Sequence, residues 1–306
     1  MHIRPATIDD APAILDILTA HEVPLIGRAN ATLEDVVDDL GEPGWNIETD
    51  GWLAHAGDGT PIGWAWTSRK GSSGIADISI SRRPGHDEVA AVLWDLAERR
   101  ARELVDDPTI DVGIFPNDEL MRGLAEQRGY DPAATFIRMR IDHAMRVAYP
   151  SLPDGVQLCH GTTSEQVRRD FLNVRNESFA DHFGFVFKEY DTWVTEREAS
   201  SAHDWSLLHV AYVDGEPAAG ILRTNNFVPD ENCGYVLTLG TAPKYQSRGL
   251  AGSLLRYAFA ADAEQGRMGT ILHVDSNPKR PALGLYQRHG MREVLRIDVW
   301  RRVFTA

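Results

Sequence analysis

Cysteine is scarce in this 306-residue chain: there are two, Cys159 and Cys233, with no CxxC and no Cys/His ligand spacing. That excludes a disulfide framework and a sequence-encoded metal site, and it fits a reducing compartment. Cations are also in deficit, 31 Lys and Arg against 45 Asp and Glu, for a formal net charge of -14. Such a field disfavours nucleic acid and anionic membrane as partners and suits a cationic or neutral substrate, although one basic loop can still hold an anion. No apolar run approaches the roughly 20 residues of a membrane helix, and the start MHIRPATIDD lacks the hydrophobic core of a signal peptide. A soluble cytoplasmic protein is expected, with no metal, no nucleic-acid partner and no membrane partner.

What the chain does have is an internal repeat. HIRPATIDDAPAILDIL reads as a strand, a Thr cap and an amphipathic helix, and VQLCHGTTSEQVRRDFL repeats it, with Thr7 against Thr163, 156 residues apart. Asp58-Gly59-Thr60-Pro61 and Asp214-Gly215-Glu216-Pro217 each mark a hairpin turn between two β runs. Pro84 then matches Pro243, Asn117 matches Asn277 and Gly129 matches Gly290, the offset drifting only to 161. Register held over this length implies two copies of one fold, each ordered strand, helix, hairpin, strand, long helix, strand, helix, strand. The fold class is α/β (α+β), with a mixed central sheet flanked by helices in each domain. The expected domains are 1–145 and 154–306, joined by a Pro-containing linker at 146–153.

KYQSRGLAGSLL, Lys244 to Leu255, lies between the β-rich run GYVLTLGTAP and a helical pattern in which Leu250, Leu254, Tyr257, Ala258 and Ala261 share a face. Strand, glycine turn and helix start form a context in which backbone N–H groups converge on an anion. Gly249 and Ala251 keep the backbone approachable, while Gln246 and Arg248 can add donors. From this stretch alone, a plain small-residue turn is an equal alternative. Downstream, LHVDSNPKRPALGLYQRHGM reads as a strand, then Asn277, then a helix carrying Leu285-Tyr286 and stopped by Gly290.

These two motifs together resemble the GNAT superfamily of acyl-CoA-dependent N-acyltransferases. Gln246-Ser247-Arg248-Gly249-Leu250-Ala251 matches the family's Gln/Arg-x-x-Gly-x-Gly/Ala phosphate motif, and the resemblance spans the C-terminal half in the right element order. It implies that Gln246 to Gly252 cradle the pyrophosphate of acetyl-CoA, with Asn277 and Tyr286 also at the site. It further implies that the strand edge Leu239-Gly240-Thr241 holds the pantetheine arm and polarises the thioester. Tyr286 is then the expected general acid for the departing thiolate.

The N-terminal copy is expected to have lost this chemistry. From Pro84 its path GHDEVAAVL is about three residues shorter, Asp87 and Glu88 stand where a phosphate would come, and Ala125 takes the place of Tyr286. Tandem architecture of this length also resembles mycothiol synthase, but that family's strand glutamate falls here at Tyr235, which leaves the general base unassigned. Asp230 and Glu231 lie just upstream in a stretch that reads as a solvated turn, and His182 reads as an exposed loop histidine. The segment from Arg175 to Trp193 is expected to line the acceptor pocket. The expected activity is N-acetyl transfer from acetyl-CoA, without a metal, to a small-molecule or peptide amine, in the C-terminal domain. The alternatives are a non-catalytic acyl-CoA sensor and a mycothiol-synthase-like enzyme.

Overall fold

The computed structural model describes residues 1–71, 73–106, 108–143, 146–276 and 282–304. By packing, the chain divides into one unit of Met1–Phe136 with Arg296–Ala306, and a second unit of Ile137–Leu295. The first unit runs β1 (His2–Pro5), α1 (Ala11–Ile26), α2 (Leu33–Leu40), α3 (Ile47–Asp50), β2 (Gly51–His55), β3 (Pro61–Arg69), β4 (Ile75–Arg82), α4 (Glu88–Leu104), β5 (Thr109–Ile114) and α5 (Glu119–Gln127). Strand β6 (Asp131–Asp142) follows. The repeat then supplies β7 (Val156–His160), α6 (Glu165–Phe179), α7 (Tyr190–Glu198), β8 (Leu208–Val213), β9 (Glu216–Thr224), α8 (Val228–Glu231), β10 (Cys233–Thr241), α9 (Leu250–Glu264), β11 (Gly269–Asp275), α10 (Ala282–Arg288) and β12 (Arg292–Val303).

Each unit builds the mixed sheet read from the sequence. In the first, strands run in the order β1-β2-β3-β4-β5, all neighbours antiparallel except the parallel pair β4–β5. In the second, β7-β8-β9-β10-β11 repeats that order and that single parallel pair. The hairpins turn at the two Asp-Gly pairs: Gly59 has φ 89°, while Asp214 and Gly215 have φ 52° and 83°, both central residues left-handed as a tight hairpin requires. The second amphipathic helix is capped by Ser164, whose hydroxyl accepts from Val167 N–H, rather than by the neighbouring Thr163.

Packing differs from chain order at the last strand of each half. Ile137 and Met139 of β6 join the core of the second unit with Leu272 and Val274 of β11. Trp300 of β12 joins the core of the first unit, and β12 pairs antiparallel with β5 from Asp298↔Ile114 to Val303↔Thr109. The units therefore part inside β6 and β12, and the Pro-containing stretch read as a linker belongs by packing to the second unit. Strand β6 alternates apolar and basic residues from Ile137 to Ile141, and β12 sets Val299 and Trp300 beside two arginines; such mixed strands fit a half-buried sheet equally well in either unit. The pattern fixes a face, not a neighbour.

This arrangement gives a test. Trp300 is 5% exposed within the core of the first unit, so Trp300→Ala should cost about 3–5 kcal/mol. Hydrogen exchange should show the loss of protection in α4 and β5, not in β8 and β9, although the substitution lies near the C-terminus.

Candidate functional site

In the second unit, β10 and β11 pair for four residues, Cys233↔Gly269 to Val236↔Leu272, and no further. Beyond that point the two parallel strands diverge. The cause is visible on β10, where the register against β9 shifts between Val236 and Thr238. Leu237 packs with the cluster on the α6 side, whereas Leu239, two residues on, packs with the cluster on the α9 side. A β-bulge thus reverses the alternation and bends the strand away from β11. Past the bulge, β10 remains paired to β9 through Leu239↔Ile221, Gly240↔Gly220 and Thr241↔Ala219. Ala242 N–H donates to Ala218 O on the β9 side. Antiparallel alternation then places the Gly240 N–H on that same side and turns the N–H groups of Leu239 and Thr241 toward the gap.

The loop after β10 makes one 3-10 turn at Pro243–Tyr245, extends at Gln246 (φ -61°, ψ 159°) and enters α9 through Gly249. Gly249 is the N-cap at φ 78°, with no side-chain capping bond, and Ser247 is also left-handed at φ 63°. Ser253 N–H donates to Gly249 O, so the helix supplies no acceptor for the amides of Leu250, Ala251 and Gly252. The loop is anchored from both ends. Leu250 and Tyr245 are buried, and Tyr245 Oη donates to Glu216 at 2.5 Å. Arg248 lies over the Tyr245 ring at 5.2 Å, and Gln246 Nε2 donates to Thr241 O at 3.5 Å. Gln246, Ser247, Arg248 and Gly249 are exposed. Gly252 lets α10 approach: a Cβ there would lie 3.0 Å from His289 Nε2. Asn277 lies outside the described residues.

Four groups surround the gap. Tyr286 of α10 is 8% exposed, and burial, followed by the charge of Asp275, pushes its hydroxyl up to about 12. Asp275 closes β11 and is itself buried. His182 Nδ1 stands 3.5 Å from Asp275 Oδ2, and the His182 ring packs on Phe179 with centroids 4.6 Å apart. On the other side of the gap, a Cβ at Gly240 would strike Ser178 Oγ and come within 3.3 Å of Phe179, so glycine is what allows the end of α6 to reach β10. His182 is therefore not the exposed loop residue that its isolation in sequence implies. Its partner Asp275 ends β11, and a strand-terminal aspartate carries no signal of its own in the sequence. Of the aromatics in 175–193, Trp193 is core, stacked on Phe171 at 5.7 Å. A cavity of about 220 Å³ opens between α6 and that segment, lined among others by Asn176, Phe187, Lys188 and Tyr190.

At the start of β10, Tyr235 Oη lies 3.0 Å from His273 Nδ1, and Arg138 Nε donates to His273 Nε2 at 3.2 Å. Burial pushes Tyr235 up to about 12, while burial and then Arg138 push His273 down to about 4. Both are neutral near pH 7, and the two ring nitrogens of His273 are engaged by Arg138 and Tyr235, so no base is placed to take a proton at this position. Glu231 is not in a solvated turn: it ends the short helix α8, its side chain is 10% exposed, and it pairs with Arg138 at 3.3 Å and with Arg140. The cations that pair with Glu231 come from β6, about ninety residues earlier, which local turn chemistry does not record.

The first unit shows what becomes of the same gap. Strands β4 and β5 also pair for four residues, Ile75↔Thr109 to Ile78↔Val112. Arg82, at the end of β4, then grips Asp118 bidentately at 2.8 and 3.1 Å and bonds Asp87 at 3.0 Å. Asp118 is 2% exposed and caps α5 through Met121 N–H, with His21 Nε2 a further 3.7 Å away. The helix after this gap, α4, is capped by Asp87 and followed by Glu88. Five residues, 83–87, join β4 to α4, against eight, 242–249, from β10 to α9. Tyr130 N–H donates to Ala125 O at 3.0 Å just as Met291 N–H donates to Tyr286 O at 3.1 Å, so alanine does occupy the tyrosine's place.

Comparison with known proteins agrees with this geometry. Residues 169–291 match the model of the Acetyltransferase (GNAT) family. A GCN5-related N-acetyltransferase from Sphaerobacter thermophilus superposes with a TM-score of 0.83 at 21% identity, over 99% of this chain and 95% of that one. A tandem GNAT protein from the clavulanic acid biosynthesis pathway gives 0.72 at 16% identity, over 99% and 98%. An acetyltransferase structure from Pyrococcus horikoshii gives 0.63 at 15%, over 99% and 89%. No curated protein matches the chain. Residues 169–291 thus carry a match to the acetyltransferase family domain, and the whole length shares the fold of tandem GNAT structures. Among the described residues no His, Cys, Asp and Glu cluster could hold a metal, and no helix is long and apolar enough to cross a membrane.

The histidines of this unit set its acid sensitivity. His273 and His203 are held down to about 4 and His209 to about 3, in each case mainly by burial. The unfolded chain binds these protons near pH 6.5, so it holds more protons than the folded one below that pH. The stabilisation from keeping them neutral is complete above about pH 6.5 and is lost as pH falls toward 4. Urea titrations from pH 7 to 4 should show a falling midpoint, and His209→Gln should flatten part of the slope.

Proposed function

We propose that the C-terminal domain is an acetyl-CoA-dependent N-acetyltransferase acting on a small-molecule or peptide amine, and that the N-terminal domain is a scaffold without CoA binding. The observation that carries this reading is the pairing of an open strand gap with a glycine-capped helix. The residues fit acetyl-CoA: the unpaired first amides of α9, the helix dipole and the exposed donors Gln246, Ser247 and Arg248 suit a pyrophosphate. Gly249 and Gly252 keep side chains out of that approach. The N–H groups of Leu239 and Thr241 are the donors for the pantetheine arm and the thioester carbonyl, where negative charge grows as the amine attacks. This narrows the edge Leu239-Gly240-Thr241 to its first and third amides, with Gly240 serving the contact to α6.

Tyr286 lies beneath the gap with its proton retained. A hydroxyl near 12 cannot hand that proton fully to a thiolate whose acid ionises near 8.5, a difference of about three units. Its contribution as the C–S bond breaks is a hydrogen bond to the sulfur, in a partly dry setting where that dipole is strong. In the N-terminal domain the corresponding gap is bridged by Arg82 and Asp118, and carboxylates flank the helix start, which supports loss of CoA binding there. The sensor alternative draws on Tyr235 and His273, which supply no base, and the mycothiol-synthase-like reading is weakened at the same position.

Titration calorimetry should find one acetyl-CoA per chain, abolished by Gly249→Val and unaffected by Arg82→Met. Tyr286→Phe should lower kcat by about 10²-fold with acetyl-CoA affinity retained. Binding without turnover on any amine class would leave the sensor reading standing.

A further inference from the structure

An ammonium acceptor must lose a proton before or as it attacks, and the start of β10 offers no group to take it. We infer that His182, with its imidazole held against Asp275 at the mouth of the gap, is the general base for the acceptor amine. The inference rests on the acetyltransferase reading of the same site.

Three independent contacts place it there. The His182 ring packs on Phe179 at 4.6 Å, and Phe179 in turn approaches Gly240 on the edge whose amides border the gap. Asp275, 3.5 Å from His182 Nδ1, terminates β11, the other wall of that gap. Asp275 also acts on Tyr286, so the imidazole, the carboxylate and the hydroxyl belong to one cluster, drawn from the segment after α6, from β11 and from α10. The segment of His182 itself also carries Arg175, Glu177, Asp181 and Lys188. The segment is tied down: His182 N–H donates to Phe179 O at 2.8 Å, Arg175 donates to Val186 O at 3.0 Å, and Asn176 donates to Lys188 O at 3.1 Å.

In the proposed step Nδ1 faces Asp275, and the carboxylate stabilises the imidazolium that forms when the ring takes a proton. The Nε2 atom takes the proton from the amine nitrogen as the C–N bond forms. The C–S electron pair goes to sulfur, where the Tyr286 hydroxyl donates a hydrogen bond. The imidazolium then releases the proton to solvent or to the thiolate, and the site returns to its starting state. Asp275 is a positioning residue here, since it acts through the histidine.

The test is the pH profile of kcat/KM, measured with acetyl-CoA and a panel of four amines: a linear diamine, an arylalkylamine, glucosamine and a lysine-containing tetrapeptide. The full-length protein should show an acid limb, as expected of a base that acts only when unprotonated. His182→Gln should remove that limb and lower kcat/KM by about 10²–10³-fold, while the acetyl-CoA dissociation constant and Tm stay at the parent values. Asp275→Asn should retain the limb but move it to lower pH, because the imidazolium loses its counter-charge. Imidazole added to His182→Gly should restore part of the rate. If the parent turns over an amine and His182→Gln keeps both rate and limb, the base assignment fails while the acetyltransferase reading survives. If the parent binds acetyl-CoA and turns over no amine, both fail.

Discussion

Everything functional in the second domain depends on two parallel strands that stop pairing. For four residues β10 and β11 share a ladder, and then the bulge at Leu237 turns β10 aside. A gap in a sheet exposes backbone donors that would otherwise be costly to bury, so it persists where something else satisfies them. Here the gap is bordered by the amides of Leu239 and Thr241, by the unpaired first turn of α9 and by the hydroxyl of Tyr286. The bulge also brings Gly240 round to face α6, and through Ser178 and Phe179 it ties the end of that helix to the same opening.

The first domain shows the other solution to the same problem. Its strands part at the equivalent place, and the opening is spanned by a bidentate arginine–aspartate pair instead. A buried pair of this kind contributes little net stability against well-packed apolar residues, but removing one partner leaves an uncompensated charge. Arg82 and Asp118 therefore have to be kept or lost together.

Charge placement within the second domain separates neutral from ionisable groups over a short distance. At the start of β10, Arg138 donates into His273 and also pairs with Glu231, which keeps the histidine neutral and the glutamate occupied. At the end of β11, His182 meets a carboxylate instead of a guanidinium. The two imidazoles have the same intrinsic chemistry. Their neighbours differ: burial and then an arginine hold His273 down to about 4, whereas His182 has a carboxylate beside it.

Much of this was legible in the sequence because it is written in local patterns. The repeat of turn residues at a nearly fixed offset determined two copies of one α/β fold, and Gly129 and Gly290 do close equivalent helices, at φ 74° and 88°. The glycine spacing after β10 determined a left-handed glycine at the helix entry, and the three missing residues after β4 determined a shorter entry that ends on Asp87 instead. Only the tertiary structure decided the rest. It lodged each half's last strand in the other unit, because an alternating strand specifies which face is buried and not which sheet buries it. It gave Glu231 and His273 their arginine from β6, and it set His182 against Asp275, more than ninety residues later in the chain. Such pairings depend on side chains converging from distant strands, and no periodicity or spacing along a single chain records them.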